Sequence, residues 1–253
     1  MAEDAPRDPK QLIAASGQAA QNERYEEAQA YLDRARELTS GPRPPEIQDI
    51  LQVDITRSEI LIGFWKAAHV NQTRSGWVPG TNQQIDNLHA AAEDFEALLP
   101  TLSVQLDQSD ISNDARIGLE AVRGRIWANA ARAWALGAVA YRRANMRNSD
   151  QSIFENNAAV GFLKADKALR DGHDWLSYLE NALHGRRFAQ LYGNFLSAPV
   201  WRFAVFRARS AVRRHADELS DEQMNHARQL SVDLAPFAAR DIGNWLLLYT
   251  MQP

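Results

Sequence analysis

Apolar residues recur three and four positions apart along most of this chain, and no stretch keeps the every-second-residue alternation of a half-buried strand. The pattern predicts eight to ten helices and no sheet. A first helix starts at Asp8-Pro9, where the missing proline N–H costs nothing. Its apolar side is Leu12, Ile13, Ala15, Ala19 and Ala20, up to a break at Asn22. A second runs from Tyr25 to Leu38 with Ala28, Tyr31, Leu32, Ala35 and Leu38 in phase. Glu26 and Glu27 occupy its first turn, where the helix dipole favours acid, and Gly41-Pro42 ends it. Pro44-Pro45 opens a third helix through His69, apolar at Ile47, Ile50, Leu51, Ile55, Leu61, Ile62, Phe64 and Trp65. A polar loop over 70–81 carries Trp77. Thr81 with Gln84 forms a capping box for a fourth helix through Leu99. Pro100 interrupts it, and residues 100–111 have no clear period.

The stretch from Asp114 to Asn145 dominates the chain. Capped by Ser112 or Asn113, it reads as one long helix with Ile117, Val122, Ile126, Trp127, Trp134, Ala138 and Tyr141 as its large or apolar positions. Ala and Gly fill many of the gaps, so neighbours can approach on more than one side. It is the expected centre of the fold. After a polar insertion, Ala158, Phe162, Ala165 and Ala168 mark a further helix ended by Gly172. Asp174 caps the next, through Ser197. Pro199 begins another, to Ala216. Ser220 with Gln223 makes a capping box for the last, bent at Pro236.

The run Tyr25-Glu-Glu-Ala28, Leu32, Ala35, closing near Pro42, resembles the second helix of a tetratricopeptide repeat. Ser16, Gly17 and Ala20 fit the first helix of such a hairpin, although the family's Trp and Leu-Gly are absent there. The match at residues 9–42 has the length of one repeat, about 34 residues. A second, degenerate match lies near 133–172, where Trp134, Leu136-Gly137 and Tyr141 precede the Ala158 to Ala168 pattern. The resemblance implies an all-α stack of antiparallel helical hairpins, tetratricopeptide-like and irregular, built as a single helical domain over 1–253. Residues 1–8 form its flexible lead, 9–42 the first hairpin, 43–111 a long-helix pair, and 112–253 the central helix and C-terminal hairpins. It further implies a non-enzymatic protein- or peptide-binding scaffold whose first helices line a groove. Residues 9–21 and 114–145 would line that groove, with Arg125, Trp127, Arg132 and Trp134 as binding candidates and Trp77 at an edge.

Composition narrows the alternatives. There is no cysteine, which excludes a thiol nucleophile, thiolate metal sites and disulfides. No window matches the roughly 18 or more uncharged apolar residues of a membrane span. The polar start, Met1 followed by AEDAPRDPK, suits a periplasmic chain freed of its signal peptide as well as a cytoplasmic one. Residues 1–120 carry 10 Lys+Arg against 20 Asp+Glu, and residues 121–253 carry 18 against 12. Such halves attract within one fold or across a homo-oligomer, or offer a basic surface to an anionic partner.

Arg202, Arg207, Arg209, Arg213 and Arg214 crowd one helix with Trp201, Phe203 and Phe206 between them, a mixture that can hold phosphates and stack bases. The pI of about 5.9 and only four lysines weigh against nucleic acid. Three histidines stand one turn from a glutamate, at His89/Glu93, Glu180/His184 and Glu222/His226. That spacing serves a metal or an ordinary helix-face pair. No HExxH, G-x-S-x-G, P-loop or G-x-G-x-x-G occurs. Gly172-His173-Asp174-Trp175 reads as a helix stop, a turn and a cap. No catalytic residue, metal ligand or cofactor is assigned. Two further readings remain: a periplasmic small-molecule-binding helical protein associated with a transporter, with Trp and Phe walling a cavity, and an all-α metal-dependent enzyme.

Overall fold

The computed structural model describes residues 8–41, 45–69, 72–73, 76–77, 82–108, 110–143, 149–192 and 197–233. The helices are α1 (Pro9–Gln21), α2 (Tyr25–Thr39), α3 (Pro45–His69), α4 (Asn82–Glu96), α5 (Leu99–Leu106), α6 (Asn113–Arg143), α7 (Ser149–Asp171), α8 (Trp175–Tyr192), α9 (Ser197–Arg214) and α10 (Asp221–Asp233). The fold is all-helical, as the periodicity predicts. Among the described residues the one extended pairing is a two-residue antiparallel ladder, Gln72–Thr73 against Gly76–Trp77, inside the loop after α3. It is a turn closure rather than a layer.

Short connections set the hairpins. Three residues join α1 to α2, which forces the two to run back along each other. Asp8 accepts from the Lys10 N–H at the start of α1. At its end Glu23 takes a left-handed φ of 61°, and the Arg24 N–H reaches back to the Ala19 carbonyl. α7 ends the same way, and here the expectation shifts. The left-handed residue is His173, with φ 54°, and not Gly172. Gly172 serves close packing instead: a Cβ there would overlap the Ala121 backbone of α6. Pro100 likewise starts a helix rather than stopping one, because it lies in the first turn of α5, where no helical N–H is missed. Ser220 and Gln223 form the reciprocal capping box at α10, with bonds of 3.2 and 2.9 Å. The Thr81 cap and the bend at Pro236 lie outside the described residues.

The hairpins stack in chain order. α3 touches both α1 and α2, α6 touches both α3 and α4, and α8 touches both α6 and α7. The first helix of each hairpin therefore seats on the whole of the preceding one. α6 is also covered by α5, and every residue from Ala128 to Ala140 is buried. Its alanines and glycines permit this: a Cβ at Gly137 would collide with Phe154 of α7, and one at Gly161 of α7 would come within 3.0 Å of the Ala131 side chain. Small side chains shorten interhelical distances and let dispersion accumulate on several sides of one rod.

Two polar clusters pin the stack. Arg125 donates to Asp54 of α3 at 3.0 Å and to Asp174, before α8, at 2.8 Å. Asp54 also receives Arg57 at 2.6 Å. Burial opposes the Asp54 charge, but the Arg125 and Arg57 guanidiniums outweigh it and hold the carboxyl below its ordinary range. In the second cluster, Arg132 pairs with Glu180 of α8 at 2.7 Å, and His184 stands 3.6 Å from the same carboxylate. Burial works against the Glu180 charge, and Arg132 with His184 overcomes it, so this carboxyl is held well below normal. Burial and then the Arg132 charge push His184 down to about 4.

Candidate binding surface

The groove candidates separate in space. Trp134 is 3% exposed, donates its Nε1 hydrogen to Glu96 at 2.8 Å, and packs edge-on to Phe154 at 4.8 Å. Arg132 is buried in the Glu180 cluster and Arg125 is spent on two carboxylates. These three hold helices together, and burial leaves no open groove along the middle of α6. The physical reason is the one that makes α6 central: a helix with small residues on every side becomes covered on every side. Trp127 is half-buried, with the Lys164 ammonium 4.0 Å above its ring. The Trp77 side chain lies outside the described residues.

An accessible apolar surface exists elsewhere, on α7 and α9. On α7, Phe154, Ala158, Phe162, Ala165 and Leu169 face the core, while Ile153, Val160 and Leu163 form a second row on the outside. On α9, Trp201, Ala204, Val205, Ala208 and Val212 are buried, and Val200, Phe203 and Phe206 stand out, the two phenylalanines 60% and 67% exposed. Trp201, grouped in the sequence with the basic-aromatic cluster, is a core residue. It packs edge-on to Phe162 at 6.1 Å, in space that Gly185 of α8 leaves by having no Cβ.

The two outer rows lie near each other. Phe162 of α7 meets Trp201 of α9, and four residues on, Asp166 receives a hydrogen bond from Arg207 at 3.2 Å. Both contacts advance in the same direction, so α7 and α9 run parallel with α8 against both. Leu163 is one turn before Asp166, and Phe203 is one turn before Arg207, whose guanidinium lies 5.3 Å from the Phe203 ring. Leu163 and Phe203 thus stand at the exposed edge of this α7–α9 surface, beside the Asp166–Arg207 ion pair. The sequence holds a signal for it: both helices carry a second set of apolar residues out of phase with the first.

A row of cations lies on the flank of α9 turned away from α7, about 120–160° round the helix from Arg207. Arg202, Arg209, Arg213 and Arg214 on α9 have no ion pair among the described residues. Arg186 of α8 is close enough that burial, then Arg202 and Arg209, lower its pKa. Elsewhere the described helices carry many paired charges, such as Arg24–Glu27, Arg34–Glu37 and Lys167–Asp171. Among the described residues no group of three or more His, Asp or Glu side chains is placed to hold a metal ion, and no helix is long and apolar enough to cross a membrane. Comparison with protein-family models, with curated proteins and with solved structures returns no match.

Proposed function

We propose that this chain is a non-enzymatic scaffold, a tetratricopeptide-like stack of helical hairpins that binds a protein or peptide partner. The observation that carries the reading is the α7–α9 surface, where Ile153, Val160, Leu163, Val200, Phe203 and Phe206 are all about half exposed or more on two neighbouring helices. Single exposed apolar residues are ordinary, whereas a contiguous set marks an interaction site. The stacking of each hairpin on the last supports the kinship with helical repeats, which present extended surfaces for partners. The binding face in this proposal is the outer flank of α7 and α9, since the middle of α6 is covered, whereas on α1 the exposed positions are Lys10, Gln11, Ala14 and Gln18.

The test compares capture by the wild-type protein and by a Leu163→Glu/Phe203→Glu variant from extract of the native organism. Both sites are exposed, so the variant is expected to melt within about 4 °C of wild type, each surface change being worth within about 0.5 kcal/mol. A partner retained by the first and lost by the second supports the scaffold. Identical capture by both removes the α7–α9 face from the function.

A further inference from the structure

A second surface lies on the other side of α9 and does not rest on the scaffold reading. We propose that Arg186 of α8 with Arg202 and Arg209 of α9 forms a binding site for a phosphate group, that of a small phosphate monoester or of inorganic phosphate.

Geometry brings the three arginines together. α8 ends at Tyr192 and α9 begins at Ser197, so the two run back along each other. They touch at Gly185, where a Cβ would fall 2.4 Å from the Trp201 ring. One residue further along either helix is a rotation of about 100°. In an antiparallel pair those two rotations carry Arg186 and Arg202 to the same side. Arg209 follows Arg202 by two turns, about 20° round the helix, and so stays on that side. The electrostatics agree, since burial and then the charges of Arg202 and Arg209 lower the pKa of Arg186. This side faces away from α7, because Arg207, which reaches Asp166, stands on the opposite flank of α9.

The cluster lacks a counter-charge. Arginines elsewhere in the described helices have a carboxylate at hand, as in Arg34–Glu37, Arg57–Asp54 and Arg123–Glu120. Among the described residues Arg186, Arg202 and Arg209 have none, and the Arg186 Nε is buried without a hydrogen-bond partner. The carboxylates of α8 and of the turn after α9 are engaged: Glu180 holds Arg132, and Glu218 holds His215. Guanidiniums gathered without an acid repel one another, and one dianion among them relieves the repulsion. Their planar forks match phosphate oxygens with two parallel N–H donors each. Arg202 and Arg209 are exposed and meet a ligand from solvent, while Arg186 is partly buried and forms the floor. Phe206, 67% exposed, stands one turn from each of the two and offers its ring to the organic part of an ester.

A polyanion fits less well. Its charges are spread along a strand, whereas these cations gather round Arg186 from two helices, and the chain as a whole carries a formal charge of −4.

The experiment titrates the full chain with phenyl phosphate and with inorganic phosphate by isothermal titration calorimetry, at low ionic strength held constant with chloride. Wild type is compared with Arg186→Gln, Arg202→Gln and Arg209→Gln. The control is Arg214→Gln, which removes an exposed arginine from the α7 side of α9, two turns after Arg207. Melting curves confirm folding, and the exposed positions of Arg202 and Arg209 keep the test open even where Arg186→Gln does not fold. The expected result is one phosphate bound per chain, weakened about tenfold or more by each loss of a charged donor and little changed in Arg214→Gln. No binding of either compound at millimolar concentration overturns the proposal. An equal loss in Arg214→Gln also overturns it, because net charge alone then explains the binding. Oligothymidine, or vesicles of phosphatidylcholine with phosphatidylserine, binding through these arginines while neither small phosphate does, overturns it as well and assigns the face to the larger anion. The scaffold reading is untouched by each of these results.

Discussion

Asp54 is the carboxylate on which the first half of the stack is pinned to the second, and Asp54→Asn tests that role. The side chain is 11% exposed and receives Arg57 and Arg125, whose own side chains are 9% and 28% exposed. Removing one partner of a buried pair leaves uncompensated charge at a cost of about 3–5 kcal/mol. Arg125 keeps Asp174 at 2.8 Å, which places the expected loss near the lower end, about 3 kcal/mol. For a domain of this size, that lowers the melting temperature by about 6–12 °C. The matched control is Asp33→Asn, whose pair with Arg36 is exposed on α2 and is worth at most about 1 kcal/mol. Thermal melting followed by circular dichroism, repeated with urea, gives both numbers. Adding Arg57→Met to Asp54→Asn should recover part of the loss, because the orphaned cation goes with it. The reasoning is refuted by an Asp54→Asn loss no larger than that of Asp33→Asn, or by a double variant less stable than the single one.

Acid should destabilise the protein from just below neutrality. His184 is held at about 4 against an ordinary 6.5, so the unfolded chain takes the proton first, and stability present above pH 6.5 drains away as pH falls toward 4. Those two and a half units correspond to about 3 kcal/mol; Glu180, held low, adds to the loss only below its ordinary 4.5. His184→Gln should flatten the fall between pH 6.5 and 5, and an unchanged slope sinks the assignment. Trp134→Ala should cost about 3–5 kcal/mol, whereas Trp127→Ala, half-buried under Lys164, should cost markedly less; equal losses in urea unfolding would contradict the burial difference. Gly172→Ala should destabilise by about 1–3 kcal/mol through overpacking against the Ala121 backbone, while Ser40→Ala, just beyond α2 and exposed, should leave the midpoint nearly unchanged; a neutral Gly172→Ala would show that the α6–α7 contact relaxes freely.

The helices and most of their ends were legible in the amino-acid order, because caps, proline positions and the 3.6-residue period act over a few neighbours. Asp8, Ser112, Asp174 and Ser220 each start a helix by accepting a backbone N–H of its first turn. So was the centrality of α6, whose small residues forecast close neighbours. Which face of α6 stays open was decided only by three-dimensional packing. Arg125, Arg132 and Trp134 look like groove residues on a single helix, yet their partners Asp54, Asp174, Glu180 and Glu96 are 38 to 71 positions away or, for Glu180, on another helix. Periodicity reports that a residue has a preferred side and not what meets it there. The α7–α9 surface shows the converse. Its two apolar rows are present in the sequence, but only the parallel approach of α7 and α9, fixed by Phe162–Trp201 and Asp166–Arg207, turns two spare stripes into one surface.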